Sequence, residues 1–132
     1  MSTLFTRIIN GEISCHRLAE DDRFLSFLDI RPIRPGHALV IPKREVDYLF
    51  DCDDELLGHI LRFARPVAKA IEQVVPCRRI GLSVVGLEVP HAHVHLIPID
   101  NIHDMDFRRA QPAAPEALAQ LAGQIRAVLE NA

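Results

Sequence analysis

Three histidines alternate with small or apolar residues in the segment from Pro90 to Pro98. Successive side chains of a β-strand point to opposite faces, so an extended segment would place His91, His93 and His95 on one face. On a helix each residue would turn by roughly 100°, and the three rings could not share a site. The pattern therefore predicts a strand with a row of imidazoles on one face and apolar side chains on the other.

Such a row suits two kinds of chemistry. Histidines can bind a catalytic zinc ion that keeps one coordination position open. Alternatively, one imidazole attacks the substrate while its neighbours bind the charge that develops. The first and third rings of the row would lie roughly 13 Å apart, too far for all three to reach one ion with bonds of about 2 Å. Two neighbouring rings together with His37 could do so.

The composition excludes several classes of protein. The chain has 132 residues, 48% hydrophobic and 25% charged, with a formal net charge of −3, which predicts one globular domain. It lacks a large basic cluster, a signal-peptide layout and an apolar run of about 18 residues. We therefore expect a cytoplasmic protein that binds neither nucleic acids nor membranes. Cys15, Cys52 and Cys77 are odd in number and widely spaced, which indicates neither a disulfide framework nor a thiolate zinc site.

Hydrophobic periodicity and turn residues predict the elements that would position the histidines. Strands are predicted at residues 16–20, 23–29, 37–42, 79–85 and 90–98. Helices are predicted at residues 3–10, 51–75 and 116–130, with a loop over residues 100–115. Consecutive hairpins indicate a mostly antiparallel α+β domain. Pro66 lies inside the long helical pattern and predicts a kink or a split there.

The histidine segment also resembles the His-x-His-x-His-x-x signature, with x apolar, of the histidine triad (HIT) family of nucleotide hydrolases and transferases. Residues 4–13 and 20–22 are similar to the N-terminal segment and first hairpin of that family. Residues 27–32 and 35–43 resemble its nucleoside-binding strand and the strand that carries a fourth histidine. The resemblance implies an α+β HIT-like fold. That fold has a five-stranded, mostly antiparallel sheet, a short N-terminal helix, a long central helix and a C-terminal helix.

The resemblance further implies one HIT domain over residues 1–132, with its core at about 3–100 and a loop plus C-terminal helix at 101–132. It also implies a homodimer with two-fold symmetry. The expected partner is a small nucleotide substrate, a derivative of AMP or GMP. The family is expected to act at the α-phosphate through a covalent nucleotidyl-histidine intermediate.

The central residue His93 is the expected nucleophile. Its second ring nitrogen must then bear a proton, and we expect a backbone carbonyl near Gly86 to accept it. His95 would bind phosphate oxygens together with the backbone of residues 86–88. His91 and His37 would lie behind, hold the tautomers of the row and share a proton. No metal and no cofactor is expected.

The resemblance assigns the nucleoside pocket to residues near the N-terminus and the second strand. Asp29 would accept hydrogen bonds from the ribose hydroxyls, although an Asp at a strand end also suits a simple turn. Ile30 would pack on the nucleoside, and Phe27 lies in the nucleoside-binding strand. Phe5 and Ile8 would wall the base, or belong to the core instead.

The chain departs from the common family pattern just before the triad. Many members have a polar Gly-Gln-Ser run there, and this chain has Gly86, Leu87 and Glu88, which we still expect to line the nucleotide site. Leu87 cannot donate a hydrogen bond to phosphate. Glu88 brings negative charge, so it either points away or handles a proton of the leaving group.

Two other functions remain open at this point. The first is a zinc hydrolase that uses the histidines as ligands, and the second is a nucleotide-binding module without turnover, which Leu87 and Glu88 would favour. Some family members carry an N-terminal cysteine pair that helps to bind structural zinc. The corresponding positions here are Thr3 and Thr6, so we expect no such metal.

Overall fold

A five-stranded sheet forms the framework of the computed structural model, which describes residues 2–132. The strands are β1 (Arg17–Glu20), β2 (Phe24–Leu28), β3 (Ala38–Pro42), β4 (Arg79–Ser83) and β5 (Val94–Ile99). They lie in the order β1-β2-β3-β5-β4, and every neighbouring pair is antiparallel. The predicted α+β fold with a five-stranded antiparallel sheet is therefore confirmed.

Three α-helices accompany the sheet. They are α1 (Leu4–Ile9), α2 (Asp54–Val74) and α3 (Pro115–Glu130). Thr3 caps α1 and Asp53 caps α2, because each side chain accepts a hydrogen bond from a backbone N–H of the first turn. Among the helices of residues 2–132, none is long and apolar enough to cross a membrane.

The helix α2 continues through Pro66, so the predicted split does not occur. Pro66 lies on the exposed side of α2, whereas its neighbour Val67 is buried against the sheet. The carbonyl of Arg62, four residues earlier, loses its amide partner on a side that water can reach. Hydration of that carbonyl limits the cost of the proline.

The two faces of the sheet carry cores of different size. The larger core lies between the sheet and the helices α2 and α3, and it includes Leu28, Val40, Val67, Ile71, Val94, Leu96 and Ile125. The smaller core lies on the opposite face beside α1 and consists of Phe5, Leu25, Phe27, Leu39 and Ile41. The alternation of β2 and β3 between these cores follows from the two-residue period of a strand. The histidines lie on the face of the sheet that carries the smaller core.

The strand β5 is shorter at its start than the predicted segment. Of the three histidines only His95 lies in the ladder, opposite Leu39 of β3 and Ser83 of β4. His91 and His93 precede β5 in an irregular stretch, where the amide of Ala92 donates to the carbonyl of Val46. This bond to a loop replaces the ladder and ends the regular pairing.

Candidate active site

The proton of His93 is fixed by a backbone carbonyl. Its Nδ1 lies 2.7 Å from the carbonyl oxygen of His91. A carbonyl only accepts hydrogen bonds, so Nδ1 carries the proton and Nε2 keeps a free lone pair. The expected acceptor near Gly86 is wrong, because the ring of His93 bends back to its own segment instead.

A second pair of rings is ordered by a backbone amide. The N–H of Ile33 donates to Nδ1 of His37 at 3.0 Å, so the proton of neutral His37 lies on Nε2. That Nε2 is 2.9 Å from Nδ1 of His95 and donates to it. The remaining proton of His95 is therefore on Nε2. The Nε2–H of His95 is therefore a free donor beside the free lone pair on Nε2 of His93.

Burial keeps this pair of rings neutral. Burial lowers the pKa of His37 to about 4. Burial, together with the positive charges that His37 and His93 would carry, lowers the pKa of His95 to about 3. Each ring therefore holds one proton at neutral pH, as the bonding pattern requires.

The ring of His91 lies behind the site and is fully buried. Its Nε2 donates to the carbonyl of Pro42 at 2.8 Å, and its Nδ1 accepts from the hydroxyl of Thr3 at 2.9 Å. Both nitrogens are thus occupied by protein groups. His91 serves His93 through its carbonyl, and the ring shares no proton with His37.

Two cavities meet at the histidines. The smaller, about 210 Å³, is lined mainly by apolar side chains, and the larger is about 400 Å³. They share Asp29, Glu88, His93 and His95. The smaller cavity contains the predicted nucleoside residues Phe5, Ile8, Phe27 and Ile30. The larger contains His37, Gly86 and Leu87. Except for His91, the predicted site residues thus line the two cavities.

Asp29 lies at the junction of the cavities. Its Oδ1 accepts from the backbone N–H of Arg31 at 2.9 Å, and its Oδ2 lies 3.6 Å from Nε2 of His37. Burial raises the pKa of Asp29, and the charge of Glu88 adds to this effect. Glu88 lines both cavities. The neighbouring Leu87 is 87% exposed and offers only apolar surface.

Phe107 was not predicted as a site residue. Its ring centroid lies 4.7 Å from that of His95 and 6.2 Å from that of His37, and it lines the larger cavity. The segment that carries it is held by buried Asp104, which accepts from Arg34 at 3.2 Å. The apolar Met105 and Phe107 within an otherwise polar loop were the only signal in the sequence.

A group of three possible metal ligands overlaps the site. One atom each of Asp29, His37 and His95 lie within 4.8 Å of one another. To bind a cation, Nε2 of His37 would have to give up its proton to Nδ1, which faces the N–H of Ile33. The bonding pattern therefore suits a hydrogen-bonded pair of rings better than a pair of metal ligands.

Comparison with known proteins gives consistent matches. A family model described as HIT domain matches residues 10–102. The adenosine 5'-monophosphoramidase of Schizosaccharomyces pombe is 40% identical over 103 residues, which are 76% of this chain and 77% of that protein. The adenosine 5'-monophosphoramidase of Saccharomyces cerevisiae is 33% identical over 131 residues, 91% of this chain and 83% of that protein.

Solved structures agree with these sequences. A Hit-like protein from Bartonella henselae superposes with a TM-score of 0.84 and 31% identity, covering 96% of both chains. A zinc-bound histidine triad family protein from Mycobacterium smegmatis has a TM-score of 0.84 and 28% identity, covering 99% of this chain and 95% of that one.

The neutral rings make stability depend on pH in a defined window. A histidine of the unfolded chain takes up a proton near pH 6.5, whereas His37 does so only near pH 4. The unfolded state therefore binds more protons between these values, and stability falls on acidification. We expect the urea-unfolding free energy of the wild type to lose about 2 kcal/mol more between pH 7 and 4.5 than that of His37→Asn.

The exposed His103 provides the control for the loss of one histidine. His103→Asn is expected to keep the slope of the wild type. If the unfolding free energy fell equally with pH in the wild type and in His37→Asn, the neutral state of the buried His37 ring would be contradicted.

Proposed function

Because the chain belongs to the HIT family, we propose that it cleaves or transfers at the α-phosphate of a purine nucleotide derivative, with an adenosine phosphoramidate as the first candidate. One observation carries the proposal. The nucleophilic lone pair of His93 lies beside the N–H donor of His95, with ring centroids 4.9 Å apart. The tautomer of His93 is set by the carbonyl of His91, and that of His95 by the ring of His37.

The first step forms a bond between Nε2 of His93 and the α-phosphorus, and it breaks the bond from phosphorus to the leaving group. A departing amine takes its proton from solvent. The ring of His93 becomes cationic, and its Nδ1–H stays bonded to the carbonyl of His91. The oxygen of a water molecule then bonds to phosphorus as the bond to His93 breaks, which releases the nucleoside monophosphate, gives one proton to solvent and restores the neutral ring.

His95 supports this step as a donor. Because its pKa is about 3, His95 is neutral and donates a hydrogen bond from Nε2 to a phosphoryl oxygen without losing the proton. His37 keeps that proton on Nε2 by donating to Nδ1 of His95. No metal ion or cofactor takes part in the proposed reaction.

The smaller cavity suits the nucleoside. Phe5, Phe27 and Ile30 provide flat and apolar surface for a purine. Asp29 lines this cavity together with His93, and a carboxylate there can accept from both ribose hydroxyls. We assign the larger cavity, with Leu87, Glu88 and Phe107, to the leaving group.

We also propose a homodimer. The strand β4 lies at an edge of the sheet, and its Leu82 is exposed. Further exposed apolar side chains of the neighbouring loops are Tyr48, Phe50, Val84, Val85 and Leu87. An open strand edge beside apolar surface is suited to pairing with a second copy.

The nucleophile assignment predicts a separation of turnover from binding. His93→Gly is expected to abolish hydrolysis of an adenosine phosphoramidate while AMP still binds, as measured by calorimetry. His95→Ala is expected to slow turnover by about 10²–10³-fold, the usual loss for one donor to a developing charge. Phosphorus-32 from a substrate labelled at the α-phosphate should be trapped on the wild type and not on His93→Gly.

Assays of binding, cleavage and metal dependence separate the alternative functions. Saturable AMP binding without any cleavage would support the binding module, and activity that a chelator removes and zinc restores would support the zinc hydrolase. His103→Asn serves as the control variant. Substantial turnover by His93→Gly would refute the nucleophile.

The ribose assignment predicts a selective loss of affinity. Asp29→Ala is expected to weaken AMP binding by about 10–100-fold, the cost of losing hydrogen bonds to a charged acceptor. Binding of 2′,3′-dideoxy-AMP should change little, since this analogue has no hydroxyls to donate. An equal loss for both ligands would argue against contact with the ribose.

The dimer proposal predicts that a substitution at the edge strand β4 halves the mass of the particle in solution. The wild type should run at twice the chain mass in light scattering, and Leu82→Lys should run as a monomer with an unchanged circular dichroism spectrum. A wild type that is monomeric at micromolar concentration would contradict it.

A further inference from the structure

Four polar side chains form a network on the outer side of the histidines. Thr3 precedes α1, Thr6 lies in its first turn, Glu45 follows β3, and His91 begins the histidine segment. These residues are far apart in the chain, and Thr3 and His91 are separated by 88 positions. The network connects the N-terminal helix to the back of the candidate active site.

The hydroxyl of Thr3 has three polar neighbours, one of which is the hydroxyl oxygen of Thr6 at 3.2 Å. It accepts from the backbone N–H of Thr6 at 3.0 Å, as a helix cap does. It also lies 2.9 Å from Nδ1 of His91, whose Nε2–H is already donated to Pro42. Since that Nδ1 has no proton, the hydroxyl of Thr3 must donate to it.

Glu45 determines the direction of these bonds. Its Oε1 accepts from the hydroxyl of Thr6 at 2.6 Å and from the backbone N–H of Thr3 at 2.9 Å. The bond from Thr6, and next that from Thr3, lower the pKa of Glu45, which stays ionised. The hydroxyl of Thr6 therefore donates its proton to Glu45 and not to His91. The single proton of the Thr3 hydroxyl has two acceptors within reach, and Nδ1 of His91 at 2.9 Å is nearer than the hydroxyl oxygen of Thr6 at 3.2 Å.

The helix α1 is also in contact with the reacting part of the site. The ring of Phe5 is edge-on to His93, with centroids 5.0 Å apart, and edge-on to His91 at 5.7 Å. Phe5 also lines the smaller cavity. A shift of α1 would therefore disturb the nucleoside pocket and His93 together.

We propose that the hydroxyl of Thr3 is a positioning group for the nucleophile. It holds the ring of His91, and through that ring it holds the His91 carbonyl that keeps the proton on Nδ1 of His93. It fixes α1 against the nucleoside pocket at the same time. The effect on turnover rests on the proposed role of His93, whereas the effect on its tautomer does not.

Three substitutions of Thr3 separate its two bonds. Thr3→Val loses both the cap and the donor. Thr3→Asp keeps an acceptor for the cap but has no proton for His91. Thr3→Ser keeps both. Asp53→Ala removes the cap of α2 and is the matched control for a lost cap far from the histidines.

Two quantities are measured. The ring tautomers are read from two-bond proton–nitrogen correlation spectra of protein labelled with nitrogen-15 histidine, and kcat is measured with an adenosine phosphoramidate. In Thr3→Val and Thr3→Asp we expect His93 to become a mixture of tautomers and kcat to fall about tenfold, the worth of one hydrogen bond. Thr3→Ser and Asp53→Ala should keep the Nδ1–H form and stay within about twofold of wild-type kcat.

Two results would overturn the inference. One is a Thr3→Asp protein with the tautomers and kcat of Thr3→Ser, and the other is a folded Thr3→Val protein with unchanged His93 tautomers. If Thr3→Val does not fold, Thr3→Asp alone decides, because its cap is intact. A wild type without any turnover would refute the proposed function and leave the tautomer comparison to test the role of Thr3.

Discussion

A neutral imidazole has one proton for two nitrogens, and this constraint organises the four histidines. In three of the rings one nitrogen faces a backbone group that has a single possible role, and the fourth ring, His95, is bonded to one of those three, His37. The carbonyls of His91 and Pro42 can only accept, and the N–H of Ile33 can only donate. Backbone groups therefore determine where every proton lies. A lone pair and an N–H donor are left beside each other at the junction of the two cavities.

This arrangement depends on a neutral His37 and a neutral His95, and burial keeps both rings neutral. A charged His37 would carry protons on both nitrogens, and its Nδ1–H would then oppose the N–H of Ile33. Buried surroundings disfavour that charged state, with Phe107 against both His37 and His95. The same burial makes the protein less stable in acid, so the chemistry of the site and the pH dependence of the fold have one cause.

The fold and much of the candidate site could be predicted because their signals are local. Alternation of apolar residues placed β2 and β3 correctly, and the His-x-His-x-His spacing identified the segment around His93. Contacts between distant residues could not be predicted in this way. The bond between Thr3 and His91, the approach of Phe107 to His95 and the acceptor of His93 depend on how irregular segments pack. The predicted break of the long helix at Pro66 was wrong because the helix tolerates this proline on its exposed side, and which side is exposed depends on the tertiary structure.

The charges around the junction of the cavities limit how an anionic substrate can be bound. Asp29 and Glu88 both line the junction, and each repels the charge of a phosphate group. The donor in the proposed reaction is the N–H of His95, which is neutral, and the cationic side chain of Arg31 lines the larger cavity beside it. A leaving group with several negative charges would meet the same repulsion from Glu88 in the larger cavity. An amine leaves as a neutral or positively charged molecule and meets no such repulsion, which agrees with the phosphoramidate that we propose as the first candidate.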